Sequence, residues 1–514
     1  MKRPRILWIM GILVITFAFV VFSSAYASDV KPIRGGTLRV GWMAQSKTLD
    51  PHKSVQLPER YVLYCIFDTL VGLDPSFNIV PELAVSWDNP DPKTYVFHLR
   101  KGVKFHDGTD FDAHVVKWNM NRVVDPDFAS PQRKLIEPYV ESVEVLDKYT
   151  VAFHLKKPYA PLLSALAERP GFMVSPTAVE KHGDKKFALN PVGTGPFKLD
   201  SWMPQAQLTV KRFDDYWGKG EGKPYLDRIE FKEIPDVVVR LTMLRAGSVD
   251  IVTEVLPREA VEIEKEGKLK LVRMPPARWR AMQWQVDKPP FNNHALRQAV
   301  AYGIDREAMN KVLFYGRCVP AGGPVVPGLW WYEEAFKGYT YKPELAKKKL
   351  IEAGYPDGFS YKYTVPNRQI DVRLAEIMQS QLAKVDIKME FEMVNASEAY
   401  SRLVSGQDNW SQTRWTQRAD PHGLLYILLH SQGHANSTKY NNPRVDKLLD
   451  EGAGIYDRSK RVKIYHEAVR TITMDAPYVF LLYVPQWAAM SPNVHGFKWI
   501  PDLIPRYSFL WETE

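Results

Sequence analysis

Apolar and polar residues alternate with period two in several short stretches, the signature of half-buried strands. TLRVGWM, starting at Thr37, is the first; TYVFHLR at 94–100 and the regions 143–155 and 227–234 repeat the pattern. Between them the apolar spacing lengthens to the helical period. PERYVLYCIFDTLVGLD predicts a helix that stops at the turn Asp74-Pro75. DAHVVKWNMNRVV predicts a second helix, with Asp112 placed to cap its first turn. Helical spacing returns over 236–247 and closes on a strand, VDIV. Another helix, NHALRQAVAYGI, follows Pro289-Pro290, and a further helical piece begins at Asp305.

From residue 343 helix and strand alternate: PELAKKKLIEAGY, SYKYTV, VRLAEIMQSQLAKV, IKMEFEMV. That order predicts a second α/β unit with a partly parallel sheet. Two such units, joined near 285 and again near 480, suit a chain of 514 residues, since domains run to about 100–200 residues each.

The N-terminus adds a compartment. Lys2, Arg3 and Arg5 precede an apolar run from Ile6 to Phe22, and Ala25-Tyr26-Ala27 follows. This is the layout of a secretory signal peptide cleaved after Ala27. The alternative is an uncleaved anchor, because the run is long for a signal. No cysteine closes the apolar run, so it carries no site for a lipid on an N-terminal cysteine, and no later stretch is apolar enough to span a bilayer. Cys65 and Cys318 lie far apart and need not pair.

Charge changes the picture little. The formal net charge of +9 falls to +6 (9 − 3) without Lys2, Arg3 and Arg5. The basic residues are interleaved with acids, as in KRFDDYWGKGEGKPYLDRIEFKE, which is a solvated mixed surface and not a nucleic-acid stripe. A mild positive field suits an anionic solute.

Catalytic constellations are missing from the sequence. It carries no HExxH, GxSxG, Walker A loop or GxGxxG after a strand. VGTGPF at 192–197 reads as a turn between strands, and His106, His422 and His434 stand alone in loops. Neither a metal nor another cofactor is implied.

Taken in order, a set of landmarks resembles the family 5 extracellular solute-binding proteins, the dipeptide-, oligopeptide- and nickel-binding proteins of ABC importers. They begin with GGTLRV at 35–40, LDPH at 49–52, PELAVSW at 81–87 and TYVFHLRKGVKFHDG at 94–108. NPVGTGPFKL at 190–199, DDYWG at 214–218, LRAGSVDIV at 244–252 and KPPFNNHALRQAVAYGIDRE at 288–307 continue the set. PELAKKKLIEAGYPDGF at 343–359 and RWTQRADPHG at 414–423 complete it.

The resemblance implies an α/β, bilobal periplasmic-binding-protein (Venus flytrap) fold of the large type. Lobe one would span 28–285, with an extra subdomain inserted at about 77–199; lobe two would span 286–483, and 484–514 would return to lobe one. Crossing strands are expected near 283–288 and 478–484. The protein would be a monomer that holds a small-molecule or peptide ligand between its lobes and passes it to membrane permease subunits. It would perform no chemistry and bind no nucleic acid. Other occupants within the family are a metal chelate or an oligosaccharide, and an exported hydrolase is the alternative from another class.

In peptide-binding relatives a cleft Trp is followed three residues later by an Asp that pairs with the ligand's amino group. Here Trp415 fits the Trp, although lobe packing explains it equally. The Asp position holds Arg418, a reversal of charge, and Asp420 lies two residues on. Arg368 in VPNRQI fits the position of a ligand-carboxylate clamp, because a guanidinium engages both oxygens; the alternative is an exposed loop arginine. Trp279 and Trp284 near the first crossing and Trp42 after the first strand are further candidates.

Overall fold

The computed structural model describes residues 31–513 apart from 44, 45, 406, 408 and 409. The expected signal peptide, with Ala25-Tyr26-Ala27, lies outside the described residues. Everything below concerns the body Ile33–Glu514.

Eleven strands form one sheet whose middle is two long antiparallel neighbours, Lys270–Trp284 and Tyr478–Met490. To one side lie Ile251–Thr253, Thr37–Trp42, Arg228–Glu233, Gln207–Arg212 and Phe197–Met203. To the other lie Trp410–Thr416, Phe359–Pro366 and Ile387–Val394. The first group builds lobe one and the second lobe two. Each lobe contains parallel pairings: Thr37–Trp42 with Arg228–Glu233, and Phe359–Pro366 with Ile387–Val394.

The first crossing strand changes lobes at Met274–Arg278, where its register against the second strand shifts. The cause is in the sequence: Pro275-Pro276 cannot donate ladder hydrogen bonds, so pairing is interrupted there. The passage therefore falls earlier than the expected 283–288. Residues before the break pair with Gln486–Met490, and those after it pair with Tyr478–Val484 and with Trp410–Thr416.

The inserted subdomain has its own four-stranded antiparallel sheet, in the order Ala84–Asp91, Thr94–Leu99, Thr150–Leu155, Val140–Asp147. Phe97, Phe153, Val116 and Met120 are in its separate core. Asp112 caps the helix Ala113–Val124, accepting from the backbone N–H groups of His114 and Val115.

The helix expected to reach Asp74 ends at Ile66. Phe67 is already extended, and Val71–Leu73 pairs with Ile79–Pro81 as a small ribbon. Buried Asp68 accepts hydrogen bonds from Trp217 Nε1 (2.8 Å) and Thr194 Oγ1 (3.0 Å), a tertiary partnership that outweighs local helical spacing. Among the described residues no helix is long and apolar enough to cross a membrane.

Candidate functional site

The C-terminal ends of the parallel strands in both lobes face the lobe boundary, where open α/β sheets leave a crevice. A cavity of about 580 Å³ lies there, lined by Gln132, Tyr159, Glu168 and Arg169 from lobe one and by Trp415 and Arg418 from lobe two.

Strand Trp410–Thr416 delivers Trp415 to this wall, and the turn after it delivers Arg418. The indole Nε1 of Trp415 is buried and has no hydrogen-bond partner among the described residues. An unpartnered buried donor costs free energy that a bound acceptor recovers. Arg418 approaches Glu168 across the boundary, Nη1 to Oε1 at 3.6 Å, and keeps 28% of its side-chain surface exposed. That separation is an ion pair and is too long for a hydrogen bond, so the guanidinium still has free donors.

Glu168 sits in an arginine-rich setting. Burial by itself would raise its pKa, but Arg418, Arg60 and Arg169 outweigh burial and hold it below the ordinary glutamate value. Arg60 in turn pairs with Asp502 at 3.1 Å, as does Arg506 at 2.7 Å. Arg169 donates from Nε to Ser54 Oγ (3.2 Å) and from Nη2 to Gln56 O (2.8 Å). Burial and the neighbouring Arg60 push its pKa down to about 9. The cavity thus has a positive wall shared by both lobes.

Asp420 touches the same cavity, yet its charge is already used. Both its oxygens accept from Arg461 Nη2, at 2.9 and 2.7 Å, and Oδ1 also accepts from the His422 backbone N–H at 3.0 Å. Arg418 is therefore the free charge of the segment, and Asp420 is a buried structural one.

Arg368 opens the helix Gln369–Ala383, and its Nε donates to Asp371 Oδ2 at 2.6 Å. It does not line the cavity that holds Trp415. The other three aromatic candidates are in cores, because strands in the middle of a covered sheet are buried on both faces. Trp42 is 2% exposed and donates to Pro58 O at 3.1 Å. Trp284 donates to Ala476 O at 2.7 Å and stacks on Phe291. Trp279 packs edge-on against Tyr478 and Phe480. None of the three lines the cavity.

Sequence reasoning missed Glu168 and Arg169. Their signal was present: two adjacent charges inside the apolar stretch LLSALAERPGFMV. Around the cavity the lobes also meet directly. Tyr139 Oη and His422 Nε2 lie 3.2 Å apart, and the Ala160 N–H donates to Ala453 O at 2.8 Å. Cys65 and Cys318 are both free and buried, one in each lobe's core.

A family model for bacterial extracellular solute-binding proteins, family 5, matches residues 78–436. The chain belongs to this family. Like its relatives, this solute-binding protein binds and does not catalyse. The glutathione-binding protein GsiB of Salmonella paratyphi A is 32% identical to it over 467 residues, which is 88% of this chain and 90% of that one. GsiB of Escherichia coli K12 has the same identity and coverage. The solved structure of DppA from Helicobacter pylori with the peptide STSA has a TM-score of 0.83 and 28% identity, covering 94% of this chain and 99% of that one. AgaA from A. tumefaciens R10, in complex with agropinic acid, has a TM-score of 0.80 and 29% identity, covering 93% and 99%. The bilobal α/β fold expected from the sequence is the fold of these structures.

Proposed function

We propose that this solute-binding protein is the exported, periplasmic substrate-binding component of an ABC importer. It captures small carboxylated solutes, either short or modified peptides or opine-like conjugates, and delivers them to a membrane permease. The observation that carries this reading is the Arg418 guanidinium, facing a cavity between two lobes with donors to spare and Trp415 beside it. Arginine keeps its charge in such a site, so its natural occupant is an anion. The relatives named for glutathione and agropinic acid support the same class, since both are small carboxylated molecules.

Arg418 stands where peptide-binding relatives carry an acid, so a plain dipeptide with a free ammonium should bind poorly. The test is a thermal-shift and calorimetric screen of dipeptides, glutathione and opines, with mass spectrometry of any solute retained on purification. Bound carboxylated ligand should raise the melting temperature, because it stabilises only the folded state. A protein that binds only uncharged sugars, or that prefers plain dipeptides, refutes the assignment. N-terminal sequencing of the secreted protein should begin at or near Ser28, and an intact N-terminus in a membrane fraction would overturn export with cleavage.

A further inference from the structure

Beside Trp415, on the opposite face of the same strand, stands Arg414. Its Cα partner across the ladder is Arg280, and Arg278 pairs with Thr416 one step further on. Arg368 follows the C-terminal end of the neighbouring parallel strand. Four guanidinium groups thus converge where strands of lobe two end, and Glu254 joins them from the end of the lobe-one strand Ile251–Thr253.

The acids present are committed elsewhere in the cluster. Asp371 Oδ1 accepts from Arg280 (2.5 Å) and Gln412 (3.2 Å), and Oδ2 accepts from Arg368 (2.6 Å). Glu254 Oε1 accepts from Arg278 at 3.3 Å. Glu254 is also held at φ 60°, a left-handed conformation that a glutamate adopts at a cost. Arg414 itself makes no hydrogen bond or ion pair among the described residues, and it is exposed to solvent. Crowding and the like charges of Arg280, Arg278 and Arg368 push its pKa down to about 9. Four cations therefore face two carboxylates, and the unmatched donor fork is that of Arg414.

We propose that Arg414 receives a second anionic group of the ligand, so that the solute class is a diacid with one acid at Arg418 and the other at Arg414. This rests on the assignment of the lobe boundary as the solute site. The two arginines are four residues apart at a strand end, which at about 3.3 Å per residue sets an upper span of about 13 Å between their Cα atoms. A short peptide-like diacid matches that reach. Arg368, with its Nε on Asp371, helps to hold the cluster and is not the primary receptor.

The test is calorimetry on a panel of glutathione, acidic dipeptides and opines, each as the free acid and with one carboxyl amidated. Wild-type protein should prefer the free diacid by about 30-fold or more, the loss expected when one charge of a desolvated pair is removed. In Arg414→Gln that preference should vanish, while Arg418→Gln should lower affinity and keep a preference. Unchanged melting of the ligand-free Arg414→Gln protein shows that it is folded, and Arg414→Lys, which restores charge without the fork, should recover part of the affinity. A diacid that binds equally well to Arg414→Gln overturns this inference and spares the proposed function. A panel of which no member binds wild-type protein overturns both.

Discussion

Replacing Asp420 with asparagine removes one negative charge and keeps the shape of the side chain. The backbone N–H of His422 still finds an acceptor at 3.0 Å, so the turn into the helix His422–Leu429 is retained. Arg461 loses its ionic partner, however, and both side chains are only 8% exposed. It keeps its Nε donation to Gly452 O at 2.9 Å and a long contact from Nη2 to Tyr465 Oη at 3.4 Å. Leaving one member of a buried ion pair unmatched costs about 3–5 kcal/mol, and the surviving contacts place this case near the lower end, about 3 kcal/mol. The unfolding entropy near 60 °C is about 2.1 cal/mol/K per residue, so the body Ile33–Glu514 gives about 1 kcal/mol/K. The melting temperature should fall by about 3 °C.

Calorimetry supplies the second half of the test. Because Asp420 spends its charge on Arg461, ligand affinity should change by less than about threefold, or about 0.6 kcal/mol. Removing both charges in Asp420→Asn with Arg461→Met should recover most of the lost stability, since the double change leaves no orphaned ion. A variant that melts like the wild type and no longer binds would refute the reasoning. That result would make Asp420 the ligand's ammonium partner and Arg418 a bystander.

Three buried histidines set an acid response. Burial holds His422 at about 3 and His52 and His106 at about 4, against an unfolded value of about 6.5. Each takes up its proton only on unfolding, so stability should fall as pH drops from 6.5 to 4.5, by up to about 1.4 kcal/mol per pH unit for each histidine. Melting curves across that range should show a shallower slope in His422→Gln, and a flat wild-type profile would sink the claim. Ligand-free Arg414→Ala should melt no lower than wild type, because the change relieves repulsion among arginines; a clear loss of stability would mean that Arg414 has a partner. Cys65 and Cys318, whose thiol pKa values burial pushes up, should resist thiol reagents in the native protein and react only after denaturation. Labelling of the folded protein would contradict this.

Periodicity made most of the elements legible. The helices capped by Asp112, Asn293 and Asp305 begin where their cap residues stand in the sequence, and the alternation after residue 343 is the observed order of helix and strand. What periodicity could not supply was the partner of a side chain. Trp42, Trp279 and Trp284 have the composition of a ligand wall and the location of a core, because only the sheet order decides which strands are covered on both faces. Pro289-Pro290 drew attention as the strongest punctuation near the lobe boundary, whereas the break falls at Pro275-Pro276, inside a strand whose pairing is visible only in three dimensions. Arg418 and Asp420 were told apart by Arg461, which is 41 residues from Asp420 in the chain and carried no signal in the local motif.

Glu168 explains how a cleft with reversed charge remains stable before any ligand arrives. At 3.6 Å and an effective dielectric of about 20, its attraction to Arg418 is about 4–5 kcal/mol before desolvation is subtracted. That attraction links the two lobes, but it leaves the donors of Arg418 unsatisfied. Glu168 is also held by Arg60 and Arg169, so an incoming carboxylate has no need to displace it. The set Arg60, Arg169, Arg418 and Arg506 faces Glu168 and Asp502, and a ligand acid brings this group closer to neutrality. An ammonium would move it the other way, in a place where water cannot screen the added charge. The same residues therefore favour lobe contact and select the sign of the solute: Glu168 holds Arg418 in place, and the arginine surplus decides what can sit beside it.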